Sequence, residues 1–170
     1  WTNNLNNAPN DNMKKIIINV TCLTVSMLLL SCSVTTEPLS IGFWNGENLF
    51  DIIDDPLKND EEFAIGGRKN VTQEIYNLKI NHSAEVLSDL NVDVLGICEV
   101  EHASVLEDLN SAYKERDYKI IQYESPDERG IDNALMYDPK RFEVISSKPI
   151  PNTLPGGDKT RDILYVKGKY

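Results

Sequence analysis

The order of hydrophobic and polar positions predicts a strand, a loop and a helix in the first half of the chain. Apolar and polar residues alternate over residues 39–44, as in a β-strand with one buried face. Residues 45–71 are rich in Asp, Asn, Gly and Pro and predict a long loop. Apolar residues then recur every three or four positions over residues 73–90, where Thr72 suits an N-cap. This segment predicts an amphipathic helix.

The second half predicts a further helix among several strands. A nearly continuous apolar run at residues 92–100 predicts a strand covered on both faces. The next periodic segment, residues 103–113, predicts an amphipathic helix. Further predicted strands occupy residues 118–123, 131–137, 142–147 and 162–169. Asp138-Pro139-Lys140 predicts a turn that joins two of these strands as a hairpin. The alternation of strands and helices predicts α/β layers with a mixed sheet.

Residues 13–32 resemble the signal peptide and lipobox of a bacterial lipoprotein. Met13 and two lysines precede an apolar stretch, which ends at Leu-Leu-Ser-Cys32 as in a lipobox. Residues 1–12 read as a leader that is not native, 13–31 as a signal peptide and 32–38 as a tether. The apolar stretch is short for the alternative, a transmembrane anchor. We therefore expect lipidation at Cys32, a membrane anchor and an exported protein on the periplasmic or outer-surface side of the cell envelope.

Composition and charge indicate one acidic globular domain. Hydrophobic residues make up 41% and charged residues 26%, which is ordinary for a folded protein. Because 27 acidic residues face 17 basic ones, for a net charge of −10, the chain is a poor nonspecific binder of nucleic acid unless a metal ion or a further basic region compensates. Of the three cysteines, Cys22 lies in the signal peptide, Cys32 is the expected site of lipidation, and Cys98 fits a small buried side chain.

The end of the apolar strand carries the candidate chemistry. Glu99 and Glu101 follow Cys98 there, and a carboxylate at the edge of an apolar layer is costly without a partner. A Mg²⁺ ion would supply one, since it prefers carboxylate, water and phosphate oxygens. The alternative is an ordinary surface carboxylate. We interpret His82 as a solvated helix residue and His102 as no metal ligand, because Mg²⁺ favours oxygen donors.

Four segments in this order resemble the endonuclease/exonuclease/phosphatase family, and the resemblance extends over about residues 39–170. They are Phe-Trp-Asn45-Gly-Glu-Asn-Leu-Phe, Asp-Val-Leu-Gly-Ile-Cys-Glu99, Arg129-Gly-Ile-Asp-Asn-Ala-Leu-Met-Tyr and Thr-Arg161-Asp-Ile-Leu. The resemblance implies the DNase I-like fold, a layered α/β sandwich with mixed sheets.

The resemblance also implies roles for five residues. Asn45 would help hold the phosphate and the catalytic acid, and Glu99 would ligate Mg²⁺ or Mn²⁺. Glu47 falls where some members have an acidic residue near the metal; it faces the site only if the extended backbone continues, and the neighbouring glycine permits a bend. Arg129 and Arg161 match positions near the phosphate, where a guanidinium suits phosphate oxygens. Arg129 could instead pair with its acidic neighbours.

The implied function is metal-dependent phosphoester hydrolysis by an extracytoplasmic endonuclease or phosphodiesterase. Its partners would be a phosphoester substrate, such as nucleic acid, and the membrane; no obligate protein partner is inferred. The family's later blocks, an active-site histidine, an Asp-x-Asn segment and an Asp-His pair, have no counterpart before Tyr170. We therefore expect an N-terminal portion of the domain that is inactive by itself. The alternatives are a phosphatase or phospholipase of the same fold and a non-catalytic, lipid-anchored binding protein.

Overall fold

The computed structural model describes residues 37–170, so the predicted leader, the signal peptide, Cys32 and most of the tether lie outside the described residues. Within the described part, the elements in chain order are β1 (Ile41–Leu49), α1 (Gln73–Leu90), β2 (Val94–Val100), α2 (Ala103–Ala112), β3 (Lys119–Gln122), β4 (Asp132–Tyr137), β5 (Glu143–Ile150) and β6 (Ile163–Lys169). No helix in residues 37–170 is long and apolar enough to cross a membrane.

The strands form two sheets. The larger sheet has the order β1-β2-β4-β3, in which β1 is parallel to β2 and the other neighbours are antiparallel. The smaller sheet is the antiparallel pair β5 and β6. The predicted α/β arrangement with a mixed sheet is therefore confirmed.

Both helices contribute to one hydrophobic core against the larger sheet. Leu87 of α1, Val105, Leu106 and Leu109 of α2 and Leu95 of β2 are at most 1% exposed in that core. The opposite face of the sheet is open along β1, where Ile41 and Phe43 are each 71% exposed. Side chains alternate between the two faces of a strand, so those of β2 and β4 that do not face the helices lie on the open face of the sheet.

The helix α1 has the bounds that its sequence predicts. The Thr72 hydroxyl accepts a hydrogen bond from the Ile75 N–H at 3.3 Å, which caps the first turn. Asn91 ends the helix in a left-handed conformation, with φ 38°, and its N–H donates to the carbonyl of Leu87. The helix is thus fixed at both ends, which also fixes the side chains that it carries toward β1.

Strand β1 is longer than predicted. We predicted a strand that ends at residue 44 and a loop from residue 45, but Leu49 still pairs with Val100 of β2 and is fully buried. The polar residues between Asn45 and Leu49 concealed this continuation, because the strand there leaves the ladder and rejoins it with a shift in register.

The predicted hairpin at Asp138-Pro139-Lys140 is wrong. A turn does occur there, with the Arg141 N–H donating to the Asp138 carbonyl at 3.0 Å. However, both edges of β4 are already paired, one with β2 and the other with β3. The chain therefore leaves the larger sheet after the turn, and β5 pairs with β6 in the smaller one.

Candidate active site

Three polar side chains share one position across the larger sheet. Asn45 of β1 is opposite Cys98 of β2, and Cys98 is opposite Asn133 of β4. Residues directly opposite each other in a sheet project from the same face. The previous position on this face belongs to Phe43, Gly96 and Leu135, so the polar group adjoins an apolar surface.

A β-bulge places Glu99 next to this group. The register of β2 shifts between Cys98 and Val100 on both sides, against β1 and against β4, and Glu99 has a left-handed backbone with φ 61°. If side chains alternated strictly along β2, the Glu99 side chain would project from the same face as the buried Ile97, toward the helices. The extra residue leaves that interior position to Val100, which is fully buried. The Glu99 side chain keeps 21% of its surface exposed.

Arg161 contacts Glu99 directly. Its Nη1 atom lies 3.3 Å from Glu99 Oε1. The segment that carries Arg161 is tied to β4, because the Asn133 side chain donates from Nδ2 to the Asp162 carbonyl at 2.7 Å. The structure therefore brings Arg161 into contact with Glu99, while Asn45 pairs with Cys98, the residue before Glu99.

Glu47 follows Asn45 in a bent segment. Glu47 and Asn48 have left-handed backbones, with φ 50° and 59°, so the extended backbone on which Glu47 would face the same way as Asn45 does not continue, and the bend lies after Gly46 rather than at it. A β-carbon on Gly46 would lie 3.3 Å from the Cys98 carbonyl oxygen, so the absence of a side chain keeps β1 close to β2 here. Asn45 Oδ1 accepts a hydrogen bond from the Glu47 N–H at 2.8 Å and so caps the bend.

Lys79 of α1 also reaches this bend, and sequence reasoning did not single it out. Its Nζ atom donates to the carbonyls of Glu47 at 3.0 Å and Asn48 at 2.7 Å. Burial lowers the pKa of Lys79, while the charges of Glu47 and Glu99 oppose that shift. The sequence did carry a sign that Lys79 faces the protein, because it lies three residues after Tyr76 and four before Ser83, which are buried on one face of the helix.

Arg129 takes a different place. It lies in the turn before β4, where its Nε atom is 3.6 Å from Asp127 Oδ1 and 47% of its side chain is exposed. Its own N–H donates to the same Asp127 oxygen at 3.0 Å. The pairing with an acidic neighbour, which the sequence left open as an alternative, is thus present, and a role for Arg129 at the phosphate stays a prediction.

A second acidic group lies two residues beyond Glu99. Glu101 and Asp60 are each 2% exposed, and Glu101 Oε2 accepts a hydrogen bond from the Asp51 N–H at 2.7 Å. Asp60 Oδ1 is buried and accepts no hydrogen bond from an N–H or hydroxyl group in the described residues. Burial, the charge of Asp51 and a hydrogen bond with Asp60 raise the pKa of Glu101 to about 7. The buried Glu101 carboxyl thus holds the backbone of the loop after β1 through the Asp51 N–H.

Comparison with known proteins identifies the family. Residues 40–170 match the profile of the Endonuclease/Exonuclease/phosphatase family. The chain belongs to this family. Membership in this family agrees with the α/β fold that was predicted. No curated protein matches the chain significantly.

A solved member of the same family is similar over part of its length. It is the endonuclease/exonuclease/phosphatase from Bacteroides vulgatus, with 17% identity and a TM-score of 0.39. The alignment covers 66% of this chain and 36% of that protein. This chain therefore matches about a third of the length of that family member.

Enzymes of the endonuclease/exonuclease/phosphatase family typically use divalent metal ions. Among residues 37–170, no group of three or more His, Cys, Asp or Glu side chains converges as a complete metal cage. The donors present at the site are oxygens, from the carboxylate of Glu99 and the amide of Asn45. These donors fit Mg²⁺ or Mn²⁺, which can take one or two carboxylates and fill the remaining positions with water and substrate phosphate.

Proposed function

We propose that this chain supplies the metal- and phosphate-binding part of a metal-dependent phosphoester hydrolase. The observation that carries the proposal is the bulge at Glu99, which removes a carboxylate from the interior and leaves it beside Arg161 and near Asn45. A strand can end in a surface carboxylate without such a feature. The left-handed backbone at Glu99 is unfavourable for a residue with a β-carbon, and strain of this kind is typical of functional sites.

Each residue has a distinct part in this proposal. Glu99, with Glu47 as a second candidate, would hold Mg²⁺ or Mn²⁺, which when bound supplies positive charge to polarise the phosphate and stabilise the leaving oxygen. Arg161 offsets the charge of Glu99 and has further N–H groups that suit phosphate oxygens in a planar, two-pronged geometry. Asn45 can donate from its amide nitrogen to a phosphate oxygen.

The substrate that we propose is a phosphodiester, and nucleic acid outside the cytoplasm is the leading candidate. Export and attachment to the membrane through Cys32 are supported by the lipobox-like sequence. The net charge of −10 instead favours a smaller phosphoester, such as a sugar phosphate or a lipid headgroup, because a nuclease gains most of its nonspecific affinity from basic residues. A phosphatase or phospholipase activity is therefore the second candidate.

The test uses the product of the complete reading frame that contains this chain, below called the complete gene product. It is incubated with plasmid DNA, RNA, a sugar phosphate and phospholipid vesicles, in Mg²⁺, in Mn²⁺ and in excess chelator. The proposal predicts metal-dependent cleavage of at least one substrate, and plasmid nicking identifies the nuclease. If none of the four is cleaved in either metal, the hydrolase proposal is overturned, and a non-catalytic binding protein becomes the better description.

A further inference from the structure

The bend at Glu47 and Asn48 leaves two backbone carbonyls outside the ladder between β1 and β2. The register shift between Asn45 and Leu49 releases them, and both residues have positive φ angles. Two consecutive left-handed residues with β-carbons are unfavourable, so their conformation requires support from the surrounding structure. Asn45 supports one side of the bend through the bond from the Glu47 N–H to its Oδ1 atom.

Lys79 supports the other side. A single ammonium group reaches both released carbonyls, at 3.0 Å for Glu47 and 2.7 Å for Asn48. Charged donors make the stronger class of hydrogen bonds, and the half-buried position of Lys79 limits competition from water. The same residue lines a cleft of about 510 Å³ together with Asn45 and Glu47.

The helix that carries Lys79 is rigidly held, so its side chain reaches the bend from a fixed base. Tyr76, Ile80 and Ser83 are buried around it on the same face of α1. The Tyr76 hydroxyl also donates to Asp108 of α2 at 2.7 Å, which links the two helices. Lys79 therefore joins a fixed helix to the segment that presents Asn45 and Glu47.

We propose that Lys79 is a positioning residue for the phosphoester site. By holding the carbonyls of Glu47 and Asn48, it sets the position of Asn45 and Glu47 relative to Glu99. This inference rests on the proposed function for its effect on catalysis, but its effect on the backbone at residues 47–50 can be measured independently. A direct contact between Lys79 and the substrate is the competing role, and the two make different predictions.

The variants are Lys79→Met, which keeps the length of the side chain without its donors, and Lys79→Arg, which keeps charge and donors. Lys140→Met is the control, because Lys140 is exposed in the turn between β4 and β5. In the complete gene product, hydrogen exchange of the amides at residues 47–50 should be about tenfold or more faster in Lys79→Met than in the parent protein. Lys79→Arg should restore most of the protection, and Lys140→Met should have no effect.

A second, complementary variant tests the same idea through backbone freedom. Glycine adopts positive φ without strain, so Asn48→Gly in the Lys79→Met background should recover part of the lost activity. In Lys79→Met alone, kcat for the best substrate should fall roughly 10- to 100-fold, with KM changed by less than about threefold, because the geometry of the reacting groups is lost rather than binding.

Unchanged exchange at residues 47–50 in Lys79→Met overturns the inference, whatever the activity. A rise in KM with unchanged exchange also overturns it, in favour of direct contact with the substrate. If the parent protein hydrolyses nothing, the proposed function fails while the exchange experiment still decides the role of Lys79. Should Lys79→Met fail to fold, Lys79→Gln, which keeps one donor group, replaces it in the same measurement.

Discussion

Arg161 and Glu99 lie 62 positions apart in sequence, yet the Arg161 guanidinium is 3.3 Å from the Glu99 carboxylate. The two side chains are partly exposed, at 27% and 21%, so the pair contributes little to folding stability compared with a buried contact. Its position next to the bulge of β2 instead suggests that charge balance at the site is its main role. A bound cation and a phosphate would satisfy the same two side chains together.

Glu99→Gln should lower metal-dependent hydrolysis in the complete gene product by about 100-fold or more, because the amide cannot supply the negative charge that a divalent cation requires. Stability should change little, since the side chain is partly exposed. Turnover and the melting temperature measure the two effects. Glu107→Gln, at an exposed position of α2, is the matched control. Turnover equal to that of the parent protein would remove Glu99 from the site.

Glu99→Gly should abolish hydrolysis and also stabilise the fold. With φ at 61°, Glu99 occupies a region that costs a residue with a β-carbon about 1 kcal/mol and that glycine adopts freely. The greater freedom of glycine in the unfolded chain offsets part of this gain, so we expect an increase of roughly 0.5 kcal/mol in the free energy of unfolding. Urea denaturation of this variant beside Glu99→Gln checks it, and a lower stability for glycine would show that the backbone at residue 99 is unstrained.

Arg161→Lys should raise KM for the best substrate by about tenfold, because lysine keeps the charge but loses the planar fork that matches phosphate oxygens. Inhibition by inorganic phosphate should weaken in parallel. Arg129→Lys tests the second predicted phosphate contact under the same conditions. An equal rise in KM would place Arg129 at the substrate despite its pairing with Asp127, whereas an unchanged KM would restrict it to the turn before β4.

The free energy of unfolding should fall as the pH rises from about 4.5 to about 7. Burial raises the pKa of Glu101 to about 7 in the folded protein, so the protonated carboxyl stabilises the fold below the unfolded value of 4.5, and that contribution is lost as the pH passes the folded value. The loss should be at most about 3 kcal/mol.

Glu101→Gln should flatten this dependence, because the amide does not titrate and its oxygen can still accept the hydrogen bond from the Asp51 N–H. At pH 8 this variant should therefore be more stable than the parent protein, and at pH 4.5 it should be nearly equal. Glu107→Gln again serves as the control. Parallel stability profiles for the parent protein and Glu101→Gln would show that folding does not raise the pKa of Glu101.

Much of the fold could be predicted from the sequence, because burial imposes a period on the apolar residues. The 18-residue helix α1 coincides with its predicted bounds. The ends of strands β2 to β6 lie within three residues of their predicted positions. The end of β1 could not be predicted. Asn45 and the polar residues after it resemble a loop, and only the pairing of Leu49 with Val100 makes them part of a strand.

The candidate site could also be predicted from the sequence only in part. Asn45, Glu99 and Arg161 were predicted as site residues because their segments resemble those of a family, and the structure shows Arg161 in contact with Glu99. The bulge at Glu99 was not found, because the apolar run from Val94 to Val100 is the same with or without an extra residue in the strand. Contacts of Lys79 and Glu101 also depend on packing between elements that are distant in sequence.

Because of the extra residue in β2, the packing of the core and the chemistry of the site are met by two different residues, Val100 and Glu99. Because Val100 returns to the interior after the bulge, the scaffold is complete whatever side chain precedes it. Glutamate, glutamine or glycine can therefore occupy residue 99 at little cost to the packing of the core, and the choice among them is decided by the chemistry of the site.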